Sequence, residues 1–353
     1  MNKILLATTA LVATAGFAAA EVSLSGSAEM GIADLGGANG VEFHHDLDVK
    51  FTLSGETDGG LTFGATIDLD ELDSQDSAGD IGSKSGAHSV FISGGFGTLT
   101  LGDTDGALDW AMQEVGIGSA LADDHTTHAG FNFNSGNDGT LDGQVLRYDN
   151  TFGDFSVAVS AELNDGGNIA VGDDIADKGI LAVAADVTAA DAGSDTFGLG
   201  FKYNAALGGL DLGLGLGYQT GSAVGSDGVA VSVMDRDIIG LSVDTTFANG
   251  LRAILNYSDI SADDSTTGAA LAAFSGDHVG LGLGYTSGAL TVSANYGEFS
   301  YDDNSSKDGF GVAVNYDLGG AAVQFGYGDG TTTTAAGVKT SSDTWSLGLA
   351  MSF

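Results

Sequence analysis

The last nine residues constrain the fold most, because large apolar side chains alternate strictly with small or polar ones from Trp345 to Phe353. A period of two is typical of a β-strand that has one face in an apolar medium and the other against water or small groups. A water-soluble protein rarely exposes such a run of large apolar side chains in phase, whereas a strand with one face in lipid requires them. The pattern therefore predicts a membrane-facing strand in this part of the chain.

The first twenty residues have the pattern of an export signal. Lys3 provides a positive start, residues 4–17 are apolar or small, and residues 18–20 form a signal-peptidase site of the A-x-A type. An N-terminal membrane anchor is the alternative, but the apolar run is short and no stop-transfer flank follows it. We therefore expect a signal peptide over residues 1–20 and a mature domain over residues 21–353.

The composition narrows the class of protein. With 48 acidic and 10 basic residues the net charge is −38, which disfavours a nucleic-acid partner because phosphate binding needs a basic patch. Cysteine and proline are both absent, so stability must come from something other than disulfides, such as a closed hydrogen-bonded sheet. The mean hydropathy is +0.15 despite the 48 carboxylates, so apolar and polar residues are interleaved, as in a membrane barrel.

The two-residue period recurs along the whole mature chain and predicts sixteen strands. Short segments rich in Gly, Asn and Asp alternate with longer acidic ones, so all long loops lie on one side of an antiparallel sheet. The predicted fold class is all-β, a 16-stranded antiparallel transmembrane β-barrel with short periplasmic turns and long external loops. The predicted strands are 22–32, 47–53, 61–69, 87–94, 97–103, 144–151, 155–163, 196–204, 210–219, 237–247, 250–260, 278–286, 289–300, 308–318, 321–328 and 343–353.

Residues 164–195 do not fit this rhythm cleanly. They include an apolar run over residues 180–187 that would form a seventeenth strand. An odd number would break both the even count and the alternation of short and long connections. We therefore assign the segment to a long external loop, whose role the sequence leaves open.

The connection between Leu101 and Gln144 is far longer than a hairpin needs. Its aromatic residues Trp110, Phe131 and Phe133 argue against disorder, and residues 107–115 have the pattern of a short helix. An ordered loop of this length is typically functional. The segment of about residues 103–143 is therefore the first candidate for a functional element.

Local motifs on both sides of this loop resemble one known family. The matches are VFISG at 90–94, GTLTLGD at 97–103, RYD at 147–149, FGDF at 152–155 and the alternating segment 345–353. Together they resemble the general diffusion porins of Gram-negative alphaproteobacteria, of the Rhodobacter and Paracoccus type. The resemblance implies an outer-membrane homotrimer whose third external loop folds into the barrel and narrows it. It also implies that Phe353 is an assembly signal read by the barrel-assembly machinery.

The same resemblance implies a function. A porin of this kind is a water-filled channel for passive diffusion of small hydrophilic solutes and ions, with no required cofactor and no enzymatic activity. Outer-membrane lipid and lipopolysaccharide are the expected surroundings. A substrate-selective porin shares every global feature described so far and is the main alternative. An outer-membrane barrel enzyme is a distant one, because neither a nucleophile elbow nor an H-E-x-x-H motif is present.

In this family, carboxylates of the constriction loop face basic residues on the barrel wall. The loop carboxylates at matching positions are Asp105, Asp109, Glu114, Asp123 and Asp124. Strand parity separately assigns five basic residues to the inward side, namely Lys50, Arg147, Lys202, Arg236 and Arg252. Parity has a simpler explanation, since a Lys or Arg that faces lipid costs ~2–4 kcal/mol at the bilayer midplane, so the opposition of loop and wall rests on the resemblance. A total of three arginines also departs from the arginine cluster of the family.

The inward charges predict a preference for cations. The predicted inward carboxylates are Glu29, Asp46, Asp48, Asp68, Asp70, Glu162, Asp211, Asp244 and Asp317. With the loop carboxylates they outnumber the five basic residues, and charges in a passage with low-dielectric walls act strongly on permeating ions. If only Lys50 and Arg147 lined the narrowest ring of the pore, the channel would instead prefer anions.

Acidic pairs in the predicted external loops raise the question of a metal ion. They are Asp173-Asp174, Asp263-Asp264 and Asp302-Asp303. Oxygen-rich loops suit Ca²⁺, while solvated carboxylates that keep the loops hydrated explain the pairs equally well. The sequence therefore leaves calcium on the external loops as an open alternative and assigns no metal ligand.

Overall fold

The computed structural model describes residues 21–36, 40–69, 88–121, 131–134, 136–137, 144–163, 194–226 and 231–353. In these parts of the chain, sixteen strands form one closed barrel in which each strand is antiparallel to its sequence neighbours and β1 closes on β16. The predicted 16-stranded antiparallel barrel is confirmed. The strands are β1 (Glu21–Asp34), β2 (Glu42–Glu56), β3 (Thr62–Asp68), β4 (His88–Gly94), β5 (Gly97–Gly102), β6 (Val145–Phe152), β7 (Phe155–Glu162), β8 (Thr196–Ala206), β9 (Leu210–Ser226), β10 (Val231–Phe247), β11 (Leu251–Asp264), β12 (Gly276–Ser287), β13 (Leu290–Tyr301), β14 (Ser306–Asp317), β15 (Ala321–Thr333) and β16 (Lys339–Ser352).

The alternation at the end of the sequence sets the register of the closing strand pair. Leu349 lies opposite Met30 and Leu347 lies opposite Ile32. Large apolar side chains therefore share one face of the ladder formed by β1 and β16, and the side chains between them point to the other face.

The two faces of the sheet have different surroundings, as β12 illustrates. Its outward side chains Leu281, Leu283 and Tyr285 are 46%, 48% and 45% exposed. The inward residues between them, Gly282 and Gly284, are buried. The outward face therefore presents an apolar surface suited to lipid, whereas this part of the inward face is covered by protein.

Strand length divides the barrel into two regions. β3–β7 contain six to eight residues each, and we call them the short wall. β9 and β10 contain 17 residues each, and the other strands of what we call the tall wall contain 11–15. At ~3.3 Å per residue, eight residues extend ~26 Å and seventeen extend ~56 Å before any tilt. Only the tall wall therefore rises well beyond the apolar part of a membrane.

Several tall strands are longer than the sequence analysis predicted, among them β2, β9, β10 and β15. β9 continues to Ser226 and β10 begins at Val231, where strands were expected to end at 219 and begin at 237. The added part of β9 is rich in Gly, Ser and Ala, so its side chains alternate little in size. Backbone pairing does not depend on side-chain size, and the ladder continues where the pattern fades.

The short turns all lie at one end of the barrel, together with Glu21 and Phe353. Gly153 and Gly288 in two of these turns have φ values of 66° and 63°, a left-handed conformation that costs glycine little. The longer connections lie at the opposite end because consecutive strands are antiparallel. We refer to these two ends as the turn end and the loop end.

Helix is almost absent from the described residues. They contain one short helix, α1 (Ala107–Ala111), and no helix long and apolar enough to cross a membrane. The predicted signal peptide (1–20) and the apolar run at 180–187 lie outside the described residues. Both assignments stay predictions.

Candidate pore constriction

The connection between β5 and β6, the third at the loop end, enters the barrel. Its described residues form two legs, a first leg (106–121) and a return leg (131–134 and 136–137). α1, at the start of the first leg, packs against β7, β8 and β9. At the end of that leg, Leu121 lies over Gly348 of β16 and Gly31 of β1. The predicted inward fold of the third loop is therefore present, and the first leg follows the tall wall for most of its circumference.

The first leg has an apolar side and a polar side. Leu108, Val115 and Leu121 are fully buried, and Met112 is nearly so. Four residues between Leu108 and Val115 stay partly exposed, namely Asp109, Trp110, Gln113 and Glu114. Apolar residues three to four positions apart lie on one side of a helical or helix-like chain. The predicted loop residues Asp109 and Glu114 therefore belong to the side that is not packed on the wall.

Polar side chains on the inward face of the wall bind the backbone of the first leg. The N–H of Ala107 donates to Ser160 Oγ at 2.8 Å, and the N–H of Gln113 donates to Ser242 Oγ at 2.9 Å. Asn256 Nδ2 donates to the carbonyl of Gln113 at 2.9 Å. Buried backbone groups need such partners, because an unpaired one costs about as much as a lost hydrogen bond.

Farther along the first leg, Asn315 of β14 satisfies both backbone groups of Ser119. Its Oδ1 accepts from the Ser119 N–H at 3.1 Å, and its Nδ2 donates to the Ser119 carbonyl at 2.6 Å. Gln324 of β15 donates to the Ser119 hydroxyl at 2.6 Å. The wall therefore binds the leg at both ends and in the middle.

The return leg runs back along the same strands, nearer the loop end. His278 Nε2 donates to the carbonyl of Phe131 at 2.7 Å, and Asn134 Nδ2 donates to Ser258 Oγ at 2.8 Å. The N–H of Asn137 donates to Gln219 Oε1 at 2.6 Å. His278, Ser258 and Gln219 are all buried. The two legs together cover a broad part of the inward side of the tall wall.

Two of the predicted wall residues meet the loop where it enters the barrel. Arg147 Nη1 lies 2.7 Å from the carbonyl oxygen of Asp105 and 3.9 Å from its carboxylate, and Arg147 Nε lies 3.2 Å from Asp149 Oδ1. Lys202 Nζ lies 4.1 Å from the centroid of the Trp110 ring, a cation–π distance. The structure therefore brings Arg147, Lys202 and Asp105 together in one cluster.

Lys50 lies in a carboxylate-rich stretch of the wall. Its Nζ is 2.7 Å from Asp68 Oδ2, and its side chain is 45% exposed. Farther along the same strand, His44 Nε2 lies 3.0 Å from Glu29 Oε2 of the neighbouring β1. These residues share the inward parity of Asp48, which lies opposite Ser27. Lys50 is accessible from the barrel interior, with acidic neighbours on both sides.

Arg236 corrects the expectation that all five inward basic residues line the pore. It has inward parity on β10, but it is only 2% exposed, and its Nη1 lies 3.1 Å from Asn137 Oδ1 of the return leg. The loop covers it, so its guanidinium does not face an aqueous passage. Parity correctly indicated the face of the sheet, but it could not indicate what lies over that face.

Arg252 lies at the turn-end edge of the loop. It makes two contacts with Asp244, Nε to Oδ1 at 3.0 Å and Nη2 to Oδ2 at 2.7 Å, one residue after the start of β11. Ile254, which packs with Val115 and Ile117 of the loop, is two residues farther along β11, or ~7 Å at ~3.3 Å per residue. Ile117 also lies over Gly284, the residue opposite Arg252 on β12. Arg252 therefore borders the first leg on its turn-end side, where Asp244 pairs with its charge.

Several predicted residues lie outside the described part of the chain. They are the loop carboxylates Asp123 and Asp124, the inward carboxylate Asp70 and the acidic pair Asp173-Asp174. Among the described residues, no three or more His, Asp or Glu side chains are grouped so that they could hold a metal ion. Calcium on the external loops stays a prediction.

Sequence reasoning missed the residues that hold the loop in place, and it missed Asp149. Asp149 has the same strand parity as Arg147 and could have been found from it. The signal for the covered wall was the run of inward glycines, where a water-exposed barrel interior would carry polar side chains. The clearest runs are Gly198 and Gly200 on β8, Gly215 and Gly217 on β9, and Gly280, Gly282 and Gly284 on β12.

Comparisons with known proteins agree with this architecture. The chain matches the Gram-negative porin family over residues 7–307. A porin of Rhodobacter capsulatus is 30% identical over 313 residues, covering 86% of this chain and 91% of that protein. A solved porin structure refined at 1.8 Å is 25% identical, with a TM-score of 0.62 over 94% of this chain and 100% of that chain. The trimer form of OmpT from Vibrio cholerae is 13% identical, with a TM-score of 0.59 over 95% and 99%.

A closed barrel with an apolar outer face and a loop folded into its interior defines a channel-type membrane β-barrel. The family match extends over most of the chain, and the R. capsulatus porin matches over nearly its full length. The chain belongs to the Gram-negative porin family. It is a multi-pass β-barrel porin of the Gram-negative outer membrane.

Proposed function

We propose that the protein is a water-filled channel for passive diffusion of small hydrophilic solutes and ions, with a preference for cations and no enzymatic activity. The observation that carries this proposal is the inward-folded third loop. Its legs cover most of the tall wall, so the passage runs between the polar side of the first leg and the inward side of five strands, the tall strand β2 and the short strands β3–β6. We call the latter the open arc.

Carboxylates outnumber basic groups along this passage. The basic side chains are Lys50, Arg147 and Lys202. The acidic ones are Asp105, Asp109 and Glu114 on the loop, Asp46, Asp48, Asp68 and Asp149 on the open arc, and Glu29 beside it. An excess of negative charge in a passage with low-dielectric walls concentrates cations. Arg236 and Glu162 are left out because they are only 2% and 1% exposed, and Asp68 keeps 8% exposure beside the accessible Lys50.

The reversal potential of single channels in a potassium chloride gradient tests this preference. We expect a cation-selective wild type and a lower cation preference in the double variant Asp105→Asn/Asp109→Asn. Asp58→Asn, in the exposed turn between β2 and β3, is the matched control and should leave the potential unchanged. An anion-selective wild type would contradict the charge assignment, whereas a protein without any conductance would contradict the channel itself.

Solute uptake separates a general from a substrate-selective channel. In liposome-swelling assays with sugars of increasing size, a general diffusion channel gives rates that fall smoothly with size. A rate that saturates for one class of solute would instead support the substrate-selective alternative, with the Trp110 and Lys202 pair as the first place to look for a binding site.

The short wall supports assembly into a homotrimer. Its strands extend at most ~26 Å before tilting, which leaves little margin across an apolar band ~25 Å tall. Its outward side chains Phe152, Phe155 and Val159 are 61%, 59% and 48% exposed. Burial against another copy would protect this low, apolar part of the barrel. The similarity to OmpT in its trimer form supports the same number of subunits, which native mass spectrometry in detergent would measure.

The surroundings proposed for the barrel are outer-membrane lipid, lipopolysaccharide and the barrel-assembly machinery. Phe353 is outward and 67% exposed, and its N–H donates to the carbonyl of Gly26 at 2.8 Å. An exposed residue buries little area, so its loss should lower the amount of assembled protein in the outer membrane more than the stability of the barrel. Normal outer-membrane levels of a Phe353-deleted protein would contradict a role in assembly.

A further inference from the structure

Three carbonyl groups of the first leg lie directly over glycines of the wall. The contacts are Ala107 with Gly200 on β8, Ala111 with Gly215 on β9, and Val115 with Gly282 on β12. A Cβ atom at any of these glycines would fall well inside van der Waals contact with the carbonyl oxygen. Only glycine permits such a close approach of two backbones. The four-residue spacing of the carbonyls means that one side of the leg repeatedly touches the wall.

The hydrogen bonds of the wall act at positions between and beyond these glycine contacts. Ser242 and Asn256 bind the two backbone groups of Gln113, and Asn315 binds both backbone groups of Ser119. These side chains come from β10, β11 and β14, so the leg is held by several strands that pair into one sheet.

Building on the proposed function, we propose that these wall residues form a loop seat that determines the width of the pore from behind. The seat consists of Gly200, Gly215, Gly282, Ser242, Asn256 and Asn315. The glycines set how closely the first leg approaches the wall, and the polar side chains keep it there. The width of the passage is then the distance that remains between the seated leg and the open arc.

The seat makes the leg a fixed boundary of the pore rather than a gate. Lifting the leg would break the hydrogen bonds of Gln113 and Ser119 and expose the buried side chains of Leu108, Val115 and Leu121. Water in the passage would replace the hydrogen bonds, but it would not replace the apolar burial. Several such losses at once make an unseated leg a rare state.

The seat also decides which side chains reach the passage. Because the carbonyls of Ala107, Ala111 and Val115 face the wall, the residues between them that stay partly exposed are Asp109, Trp110, Gln113 and Glu114. Residues that never contact a permeating solute therefore set both the width of the passage and the charge along one side of it.

Gly215→Ala tests the seat, with Gly213→Ala as its matched control. Both glycines have inward parity on β9, but a Cβ at Gly213 would have Asn204 Oδ1 at 3.2 Å and Asp244 Cβ at 3.7 Å as its nearest neighbours. At Gly215 the added methyl group must displace the leg by on the order of 1 Å to restore ordinary contact distances. We expect Gly215→Ala to lower the single-channel conductance and the size of the largest sugar admitted, while Gly213→Ala behaves like the wild type.

A second variant covers the case in which Gly215→Ala does not assemble. Asn315→Ala removes both bonds to the Ser119 backbone without adding volume, and we expect a noisier current with brief excursions to higher conductance. Wild-type conductance, noise and size limit in an assembled Gly215→Ala, or a steady wild-type current in Asn315→Ala, would overturn the seat. Conductance of the wild type and of Gly213→Ala reports separately on the channel, so failure of the seat and failure of the proposed function are distinguishable.

Discussion

The inward sides of the two walls differ far more than their outward sides. Outward leucines are exposed to similar extents on both walls, 38% for Leu99 and 40% for Leu146 on the short wall and 48% for Leu283 on the tall wall. The inward sides have little in common. The part of the tall wall beneath the loop presents mainly glycines and neutral polar side chains. The open arc, made of the short strands β3–β6 and the adjoining tall strand β2, presents charged residues such as Lys50 and Asp149.

This difference shows that the composition of a barrel interior depends on what covers it. Where backbone lies on the wall, glycine allows close approach, and Ser, Asn and Gln pair with its N–H and C=O groups. Where the wall faces water, charged side chains stay hydrated and burial costs them little. Inward parity alone therefore does not make a residue part of the pore.

Removal of the loop should have the largest effect on the channel, because it abolishes the difference between the covered and the water-facing parts of the barrel interior. Replacing residues 106–137 with a short Gly–Ser linker leaves all sixteen strands and uncovers the tall wall, so we expect a severalfold rise in conductance and the loss of sugar-size discrimination. Planar-bilayer recordings and liposome swelling would measure both. Shortening the exposed loop-end connection at 334–338 is the control. Unchanged conductance without the loop would show that the constriction lies elsewhere.

Neutralising the open arc should have the next largest effect. Asp48→Asn/Asp68→Asn removes two negative charges beside Lys50, so the reversal potential should move toward anion preference while conductance changes less. Asp211→Asn, exposed at the turn end of β9, is the matched control. Equal shifts in the two variants would mean that the open arc has no special influence on permeating ions.

Removal of one bond to the covered wall should have a smaller effect, on stability. Asn256→Ala leaves the Gln113 carbonyl without its donor, and a cost of ~1–3 kcal/mol is expected for a buried group. Thermal unfolding in detergent, followed by circular dichroism, would show a lower Tm. Asn204→Ala, on an exposed inward position at the turn end, should leave Tm nearly unchanged. A larger loss at Asn204 would contradict the distinction between covered and uncovered wall.

Arg252→Gln should have the smallest effect. Its pair with Asp244 is partly exposed, with side chains 34% and 22% accessible, so the contribution to stability is ~0–1 kcal/mol. Conductance and selectivity should stay close to wild type, whereas Arg147→Gln, beside Asp105, should alter selectivity. If Arg252→Gln changed selectivity as strongly as Arg147→Gln, the distinction between a charge paired with Asp244 at the turn-end edge of the loop and one beside Asp105 would be wrong.

Most of the fold could be predicted from local pattern. The two-residue period located all sixteen strands, and the rhythm of short and long connections indicated their antiparallel order. The inward fold of the third loop was implied by the family resemblance. The errors lie where the pattern is weak, as in the small residues that continue β9 to Ser226. The candidate site was only partly predictable. Arg147, Lys202 and Asp105 meet as a cluster, Arg236 is buried beneath the loop, and Arg252 lies at the turn end.

The sequence by itself determined which side chains face outward and which face inward, because successive residues of a strand point to opposite faces whatever the strand packs against. It also determined where the chain turns, since glycine alone takes positive φ values at little cost. Only the tertiary structure decided which inward residues face water and which lie beneath the loop. That depends on the path of a long connection across strands far apart in sequence, from β7 to β16, and no local period records such a path.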